Sequence, residues 1–283
     1  MLLICGTIPQ ADAGLLLGEA RFDGSKLLVG NTEVQCTQGT AALASAACVV
    51  AKHCWSSAPH ALFAGDTGSG KGSRLIYDYL IKNLPKLNVD VLLLHYILPV
   101  MGLMKQVCAA AAKSTKKPVM MADASSMYAA KAAGLAGQFD IFTPDLSETE
   151  FLADPDAIHP AYISYHLFRA DIAYIDDLIV AAFRQKSMAK TVIIKGATDF
   201  VVQEGKVKFT LSAPDLPALE AIGGTGDTIS GMVGAFVDAG FTHLDAAVLA
   251  LKANRKAGQY AQATPATKIS EIIAAMPKVL NHN

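Results

Sequence analysis

The chain has 283 residues, 52% of them hydrophobic and 17% charged, with a formal net charge of −1. That length suits one large α/β domain or two small ones, and the near-neutral balance excludes the basic excess of a nucleic-acid-binding surface. Five scattered cysteines, Cys5, Cys36, Cys48, Cys54 and Cys108, have no C-x-x-C spacing and read as reduced packing thiols of a cytoplasmic protein.

The chain opens on Met1-Leu2-Leu3-Ile4-Cys5, which has no basic n-region and stops at Gly6, so it reads as a first strand and not a signal peptide. No apolar window reaches the length of a membrane span. From there, short apolar runs alternate with helical patterns. The runs predict strands over 2–7, 26–30, 61–65, 90–94, 118–122, 139–143 and 191–195. The periodicity predicts helices over 40–53, 73–84, 101–113, 125–133, 171–184, 228–239, 244–262 and 269–280. Several strands, such as Val91-Leu92-Leu93-Leu94, are continuously apolar, as strands buried on both faces of a parallel sheet are. Strand–helix alternation then predicts a doubly wound, mostly parallel α/β sheet flanked by helices. Segments 200–203 and 207–211, split by Glu204-Gly205, predict a small antiparallel hairpin near 199–211. No repeat, low-complexity tract or linker interrupts the pattern, so 1–283 is read as a single domain.

Ligands of such sheets collect at the carboxyl ends of the strands. Polar residues follow apolar strands there: Asn31-Thr32, Asp66, Asp123, Thr143-Pro144-Asp145 and Lys195-Gly196. Asn31, Thr32, Asp66, Asp123, Thr143 and Asp145 are therefore candidate substrate contacts; each alone can equally be a helix cap or a turn. In Thr143-Pro144-Asp145-Leu146-Ser147-Glu148, Ser147 is expected to cap a short helix through Phe151. Glu148 would then lie in its first turn, either as a carboxylate that holds a metal-bound water or as a residue favoured by the helix dipole.

Loop 65–73, Gly65-Asp66-Thr67-Gly68-Ser69-Gly70-Lys71-Gly72-Ser73, nearly matches the phosphate loop of P-loop nucleotidases, between a strand and a helix. Gly72 stands where the Mg²⁺-binding Ser or Thr belongs, and Ser73 is displaced by one position, so the loop is read as lining substrate, with a plain flexible turn as the other reading. The histidines, His159 and His166 among them, show no H-x-x-x-H or H-E-x-x-H spacing, and no structural metal site is expected among them.

The densest signal is Gly223-Gly224-Thr225-Gly226-Asp227, which runs straight into a helical pattern. Glycines leave backbone N–H groups uncovered, and a helix start adds unpaired donors and the positive end of its dipole. Together they make a seat for phosphate, with Asp227 at its rim as a base for phosphoryl transfer. The other reading is a glycine turn with Asp227 as an ordinary N-cap.

The order of four motifs resembles the ribokinase-like superfamily, and within it the carbohydrate-kinase-like branch that includes the ATP- or ADP-dependent NAD(P)H-hydrate dehydratases. The motifs are Ala122-Asp123-Ala124, Thr143 to Glu148, Ile193-Ile194-Lys195-Gly196 and Gly223 to Asp227. The chain departs from that branch where the acceptor should bind. Asp145-Leu146-Ser147-Glu148 stands for the usual His-Pro-Gly-Glu, and Leu98-Pro99-Val100-Met101-Gly102 for a Gly-Pro-Gly segment. The resemblance implies a ribokinase-like fold and ATP or ADP with Mg²⁺ as cofactors. Gly223, Gly224, Thr225, Gly226, Lys195, Gly196 and Asn254 would hold the nucleotide, Asp227 would be the catalytic base, and Glu148 would serve the metal. The expected partner is a small hydroxylated molecule, with no nucleic acid, no membrane and room for a homo-oligomer. Three functions fit: a hydrate dehydratase, a kinase of a sugar or hydroxymethylpyrimidine, and a non-catalytic nucleotide sensor.

Overall fold

The computed structural model describes residues 1–158 and 174–281. Its centre is β1 (Leu2–Ile8), flanked in parallel by β5 (His60–Gly65) on one side and β6 (Val91–His95) on the other. Beyond β6 the parallel run continues through β7 (Val119–Ala122), β8 (Ile141–Phe142) and β9 (Thr191–Ile194). Each margin is antiparallel. On one side β2 (Leu15–Phe22), β3 (Lys26–Val29) and β4 (Thr32–Gln35) extend from β5; on the other, β10 (Asp199–Gln203) and β11 (Lys206–Leu211) extend from β9. The result is one 11-stranded sheet ordered β11-β10-β9-β8-β7-β6-β1-β5-β2-β3-β4.

The two faces of the sheet follow from the period-2 alternation of strand side chains. Leu2, Ile4 and Ile8 of β1 join the core beneath α1 (Gly39–His53), α7 (Thr225–Asp238), α8 (His243–Tyr260) and α9 (Ile269–Leu280). Leu3 and Cys5 join the opposite core, under α2 (Lys71–Asn83), α3 (Met101–Ala112), α4 (Ala124–Ala132), α5 (Leu146–Ala153) and α6 (Ile175–Arg184). All seven parallel-run and flanking strands expected from the sequence, and the hairpin, are present. The histidines His159 and His166, and positions 171–173 of the helix expected over 171–184, lie outside the described residues.

Two strands escaped the sequence reading. β2 alternates mostly between exposed and half-buried residues, and its short run Leu15-Leu16-Leu17 is ended by Gly18 and Glu19. β4 is mostly exposed. Their presence changes the setting of Asn31, in the tight β3–β4 turn, and of Thr32, the first residue of β4, which pairs with Val29.

One close approach sets the geometry of the site. α7 lies so near α1 that a Cβ on Gly231 would stand 1.9 Å from the Leu43 carbonyl oxygen. Only glycine fits, and this contact brings the N-termini of α7 and α1 together at the carboxyl rim of the sheet.

Candidate active site at the sheet rim

α7 begins at Thr225, three residues earlier than the periodicity predicts, so the glycine turn is the first turn of the helix itself. Its N-cap is Gly224, held at φ +100° and without a side chain to cap the helix. The first-turn amides of Gly226 and Asp227 accordingly have no backbone acceptor among the described residues. Such open donors at a helix start favour an anion. The Lys195 ammonium completes the seat: a Cβ on Gly226 would lie 3.6 Å from Nζ.

Asp227 does not cap its own helix. Its Oδ2 accepts from the Gly39 amide at the start of α1, at 2.8 Å, and its Oδ1 lies 3.0 Å from Nε2 of His95. The ordinary N-cap reading of the motif thus fails, because the carboxylate is turned across to the neighbouring helix. Burial alone would raise its pKa; the donors His95 and Gly39 and the charge of Lys195 more than offset that and hold it below the usual carboxylate range. His95 is fully buried at the end of β6, with Nδ1 2.9 Å from the Thr40 hydroxyl.

Lys195, at the end of β9, donates to both oxygens of Asp123 at 3.1 Å. Burial would lower its pKa, but Asp123, Glu148 and Asp227 more than offset that and raise it above the usual lysine value. The Ser230 hydroxyl bridges Asp123 and Thr143 at 2.6 and 2.8 Å. Thr143 is fully buried, so it braces Asp123 and does not face a ligand, which corrects its place among the substrate contacts.

Two cavities meet at Asp227. One, of about 580 Å³, is lined by Asp123, Asp145, Glu148, Lys195, Gly196, Thr225, Gly226 and Asn254 among others. The other, of about 490 Å³, is lined by Gln10, Gln35, Gln38, Thr40, Asp66 and Gly223 among others. Tyr96, Gly224 and Asp227 line both. Asp123 and Asp145 therefore stand in the cavity of Lys195, on the opposite side from Asp66. Asn31 and Thr32 line neither cavity, because their hairpin turn carries them to the far margin of the sheet. Asn254 accepts from the Thr228 hydroxyl at 2.8 Å and is fixed against α7.

Asp145, and not Ser147, is the N-cap of α5. Its Oδ1 accepts from the Glu148 amide while Glu148 Oε2 accepts from the Asp145 amide, a reciprocal capping box. Glu148 Oε1 also accepts from the Tyr128 hydroxyl at 2.6 Å. Burial first, then the charge of Asp123, pushes the Glu148 pKa up to about 7. Glu148 thus has the capping role, and it also lines the first cavity.

Loop 65–73 folds around its own carboxylate. Asp66 Oδ1 accepts from the amides of Gly68 and Gly70, and Oδ2 from the amide and hydroxyl of Ser73. Three of the loop's amides and the Ser73 hydroxyl are thereby spent on its own carboxylate. A Cβ on Gly72 would stand 2.3 Å from the Gly65 carbonyl oxygen, so no metal-binding Ser or Thr fits there.

Sequence reasoning missed His95, Tyr96 and Arg255. His95 and Tyr96 directly follow the run 90–94, where the rim rule points. Tyr96 holds φ +48° and packs against His95 with the rings tilted by 54° and their centroids 4.1 Å apart. Arg255 is buried next to Asn254; it donates to Asp199 at 2.7 Å and to the Gly196 and Ala197 carbonyls, fixing the loop after Lys195. Among the described residues no helix is long and apolar enough to cross a membrane.

The chain is 38% identical over 218 residues to the uncharacterized protein MJ1337 of Methanocaldococcus jannaschii, covering 77% of this chain and 89% of that one. Solved structures share the fold. A ribokinase-like superfamily protein of Enterococcus faecalis superposes with a TM-score of 0.58 at 15% identity, over 99% of this chain and 86% of that one. Phosphofructokinase-2 of Escherichia coli, in complex with fructose-6-phosphate, gives 0.57 at 13% identity, over 99% of both. Pyridoxal kinase of Bacillus subtilis, as an ADP complex, gives 0.51 at 16%, over 89% of both. The family model described as NAD(P)H-hydrate dehydratase matches residues 1–278, and the chain belongs to that carbohydrate-kinase-like family of ribokinase-like fold.

Proposed function

We propose that the protein transfers a phosphoryl group from ATP or ADP to a hydroxyl of a small acceptor. The observation that carries this reading is the pair of cavities that share Asp227 and the open amides of α7. The nucleotide phosphates would rest on Gly224, Thr225 and Gly226 beside Lys195, and the acceptor would lie on the Gln38 side. The acceptor oxygen attacks the terminal phosphorus as its proton passes to Asp227; the new O–P bond forms while the bridging O–P bond breaks, and its electron pair leaves with the nucleotide. Each Asp227 oxygen keeps a lone pair beyond the bonds to His95 and Gly39, and the low pKa keeps the group ionised and ready to accept.

A divalent cation fits the first cavity. Asp123, Asp145 and Glu148 crowd around Lys195, and the second oxygen of Asp145 has no donor among the described residues. Asp145 and Glu148 would hold Mg²⁺, which supplies charge neutralisation to the transferring phosphoryl group. Lys195 orients the phosphates, and Arg255 keeps the 196–199 loop closed beneath them.

The family match favours the hydrated nicotinamide dinucleotide as the first acceptor to try. With it, transfer would be followed by loss of phosphate and return of the reduced nicotinamide. Small-molecule kinase chemistry shares the transfer step and stops at a stable ester. The test mixes protein, Mg²⁺ and ATP or ADP with hydroxylated acceptors and identifies every product by mass. Acceptor-dependent nucleotide consumption is expected, giving either a phosphorylated acceptor or equal amounts of phosphate and reduced nicotinamide. Bound nucleotide with no acceptor-dependent consumption would contradict transfer and leave a nucleotide sensor.

A further inference from the structure

A third cavity lies at the other rim of the sheet. Its volume is about 840 Å³, more than either cavity beside Asp227, and it shares no lining residue with them. Lys190 and Thr191 line it at the start of β9, whereas Lys195 stands past the end of that strand. It is thus away from the carboxyl ends where ligands of such sheets collect, and separate from the site proposed for transfer.

Four cations converge on this space from separate segments: Arg184 at the end of α6, Lys186 in the turn after it, Lys190 before β9 and Lys208 in β11. Glu204 is the one carboxylate that lines it. Lys190 donates to Asp140 at 2.7 Å. The side chains of Arg184, Lys186 and Lys208 have no hydrogen-bond or ion-pair partner among the described residues. The chain as a whole is balanced, with 24 Lys and Arg against 25 Asp and Glu, so the positive excess is local to this cavity.

The backbone holds one of these cations at a cost. α6 ends in a Schellman turn, in which the Ser187 amide donates to the Ala182 carbonyl and the Lys186 amide to the Phe183 carbonyl. The residue between takes a left-handed conformation, usually as glycine. Here it is Lys186, at φ +56°. Cations near a helix C-terminus are favoured by the dipole, which accounts for Arg184 and Lys186. Lys190 and Lys208 belong to the strand side of the cavity and lie outside that account. His243, half-buried and the first residue of α8, adds a ring N–H and the positive end of an 18-residue helix.

This arrangement suits a small anion of high charge. Arg offers phosphate a planar fork and Lys a point charge. One phosphate does not span four segments around a space of this size, whereas two phosphates do. A concave site on a chain of net charge −1 also differs from the broad basic surface that nucleic acid needs. ATP carrying Mg²⁺ fits less well, because the metal cancels the charge that these cations read and Glu204 is the only lining carboxylate to share it.

We propose that this cavity is a second binding site, which takes a small anion with two phosphate groups, a diphosphate or a bisphosphate ester, held by Arg184, Lys186, Lys190 and Lys208. The site stands whether or not the rim beside Asp227 transfers a phosphoryl group.

The test is calorimetric titration of inorganic pyrophosphate and of a hexose bisphosphate, each without Mg²⁺. The wild type is compared with Lys186→Ala/Lys208→Ala and with Lys52→Ala/Lys82→Ala. The second pair removes the same charge at exposed positions that line none of these cavities. At least one anion is expected to bind the wild type, about 10-fold or more weaker in the first pair, as loss of charge-assisted bonds implies, and unchanged in the second. The tighter anion names the source, free diphosphate or ester. Because the α7 seat also favours phosphate, the titration is repeated in Gly226→Val, where binding should persist. No binding of either anion, equal weakening in both lysine pairs, or no weakening in the first pair overturns the proposal. So does loss in Gly226→Val with retention in Lys186→Ala/Lys208→Ala, which would place the anion on α7.

Discussion

Loop 65–73 and the turn from Gly223 to Asp227 look alike in sequence: both are glycine-rich, both precede a helix, and both carry an aspartate. In space both reach the same cavity, one through Asp66 and the other through Gly223, Gly224 and Asp227. What separates them is the direction of one carboxylate. Asp66 precedes its glycines and folds back onto the amides of Gly68, Gly70 and Ser73, so that loop carries its own anion. Asp227 follows its glycines, sits on the third residue of α7 and reaches away to Gly39 and His95, so its turn keeps amides open. A glycine pattern therefore marks where a chain can bind an anion, and the position of the nearest acid decides whether it is already bound.

The largest effect that sharpens this contrast is Asp227→Asn. It keeps the size but cannot accept a proton, and turnover should fall about 10²–10⁴-fold with little change in nucleotide affinity. Turnover near that of the wild type would reduce Asp227 to a cap of α1. Next comes His95→Phe, which fills the ring's space without a donor. Turnover should fall roughly 10–100-fold, the equivalent of roughly 1.5–3 kcal/mol for one charge-assisted hydrogen bond. Because His95 lowers the Asp227 pKa, the acid limb of the pH–rate profile should also move to higher pH. A loss of stability with an unmoved limb would assign His95 to packing alone.

The smallest effect falls on the other loop. Asp66→Ala should destabilise the protein by about 1–3 kcal/mol through its unpaired amides, with nucleotide affinity nearly unchanged. Burial would raise the Asp66 pKa, but its amide and hydroxyl donors more than offset that and hold it below 3.8. A depressed folded-state value means the contribution is complete above the unfolded-state pKa and lost as pH falls through the folded one. Denaturation midpoints of the two proteins should thus differ near neutral pH and converge in strong acid. A constant gap at all pH values would deny the carboxylate its part.

Much of the fold was legible because parallel strands buried on both faces write themselves as apolar runs. β2 and β4 were not: Leu15-Leu16-Leu17 stops at Gly18 and Glu19, and β4 is mostly exposed. At the site, the rim rule pointed to Asp66, Asp123 and Lys195, yet it could not divide them between two cavities. That division depends on Gly231 meeting Leu43, a contact between segments nearly two hundred residues apart in sequence. It also placed Asn31 and Thr32 at the rim when they turn a hairpin, because the short β4 that follows was unseen. His95 was invisible for the opposite reason: one buried histidine has no spacing to recognise, and its meaning comes from Asp227, 132 residues away.

The central claim is that phosphates sit on α7 and not on loop 65–73. Calorimetric titration of ATP with Mg²⁺ into folded Gly226→Val and Lys71→Ala tests it directly. Valine at 226 would project toward Lys195 and over the open amides, so binding should be lost, while Lys71→Ala should bind as the wild type does. Intact binding in Gly226→Val together with loss in Lys71→Ala would contradict the account.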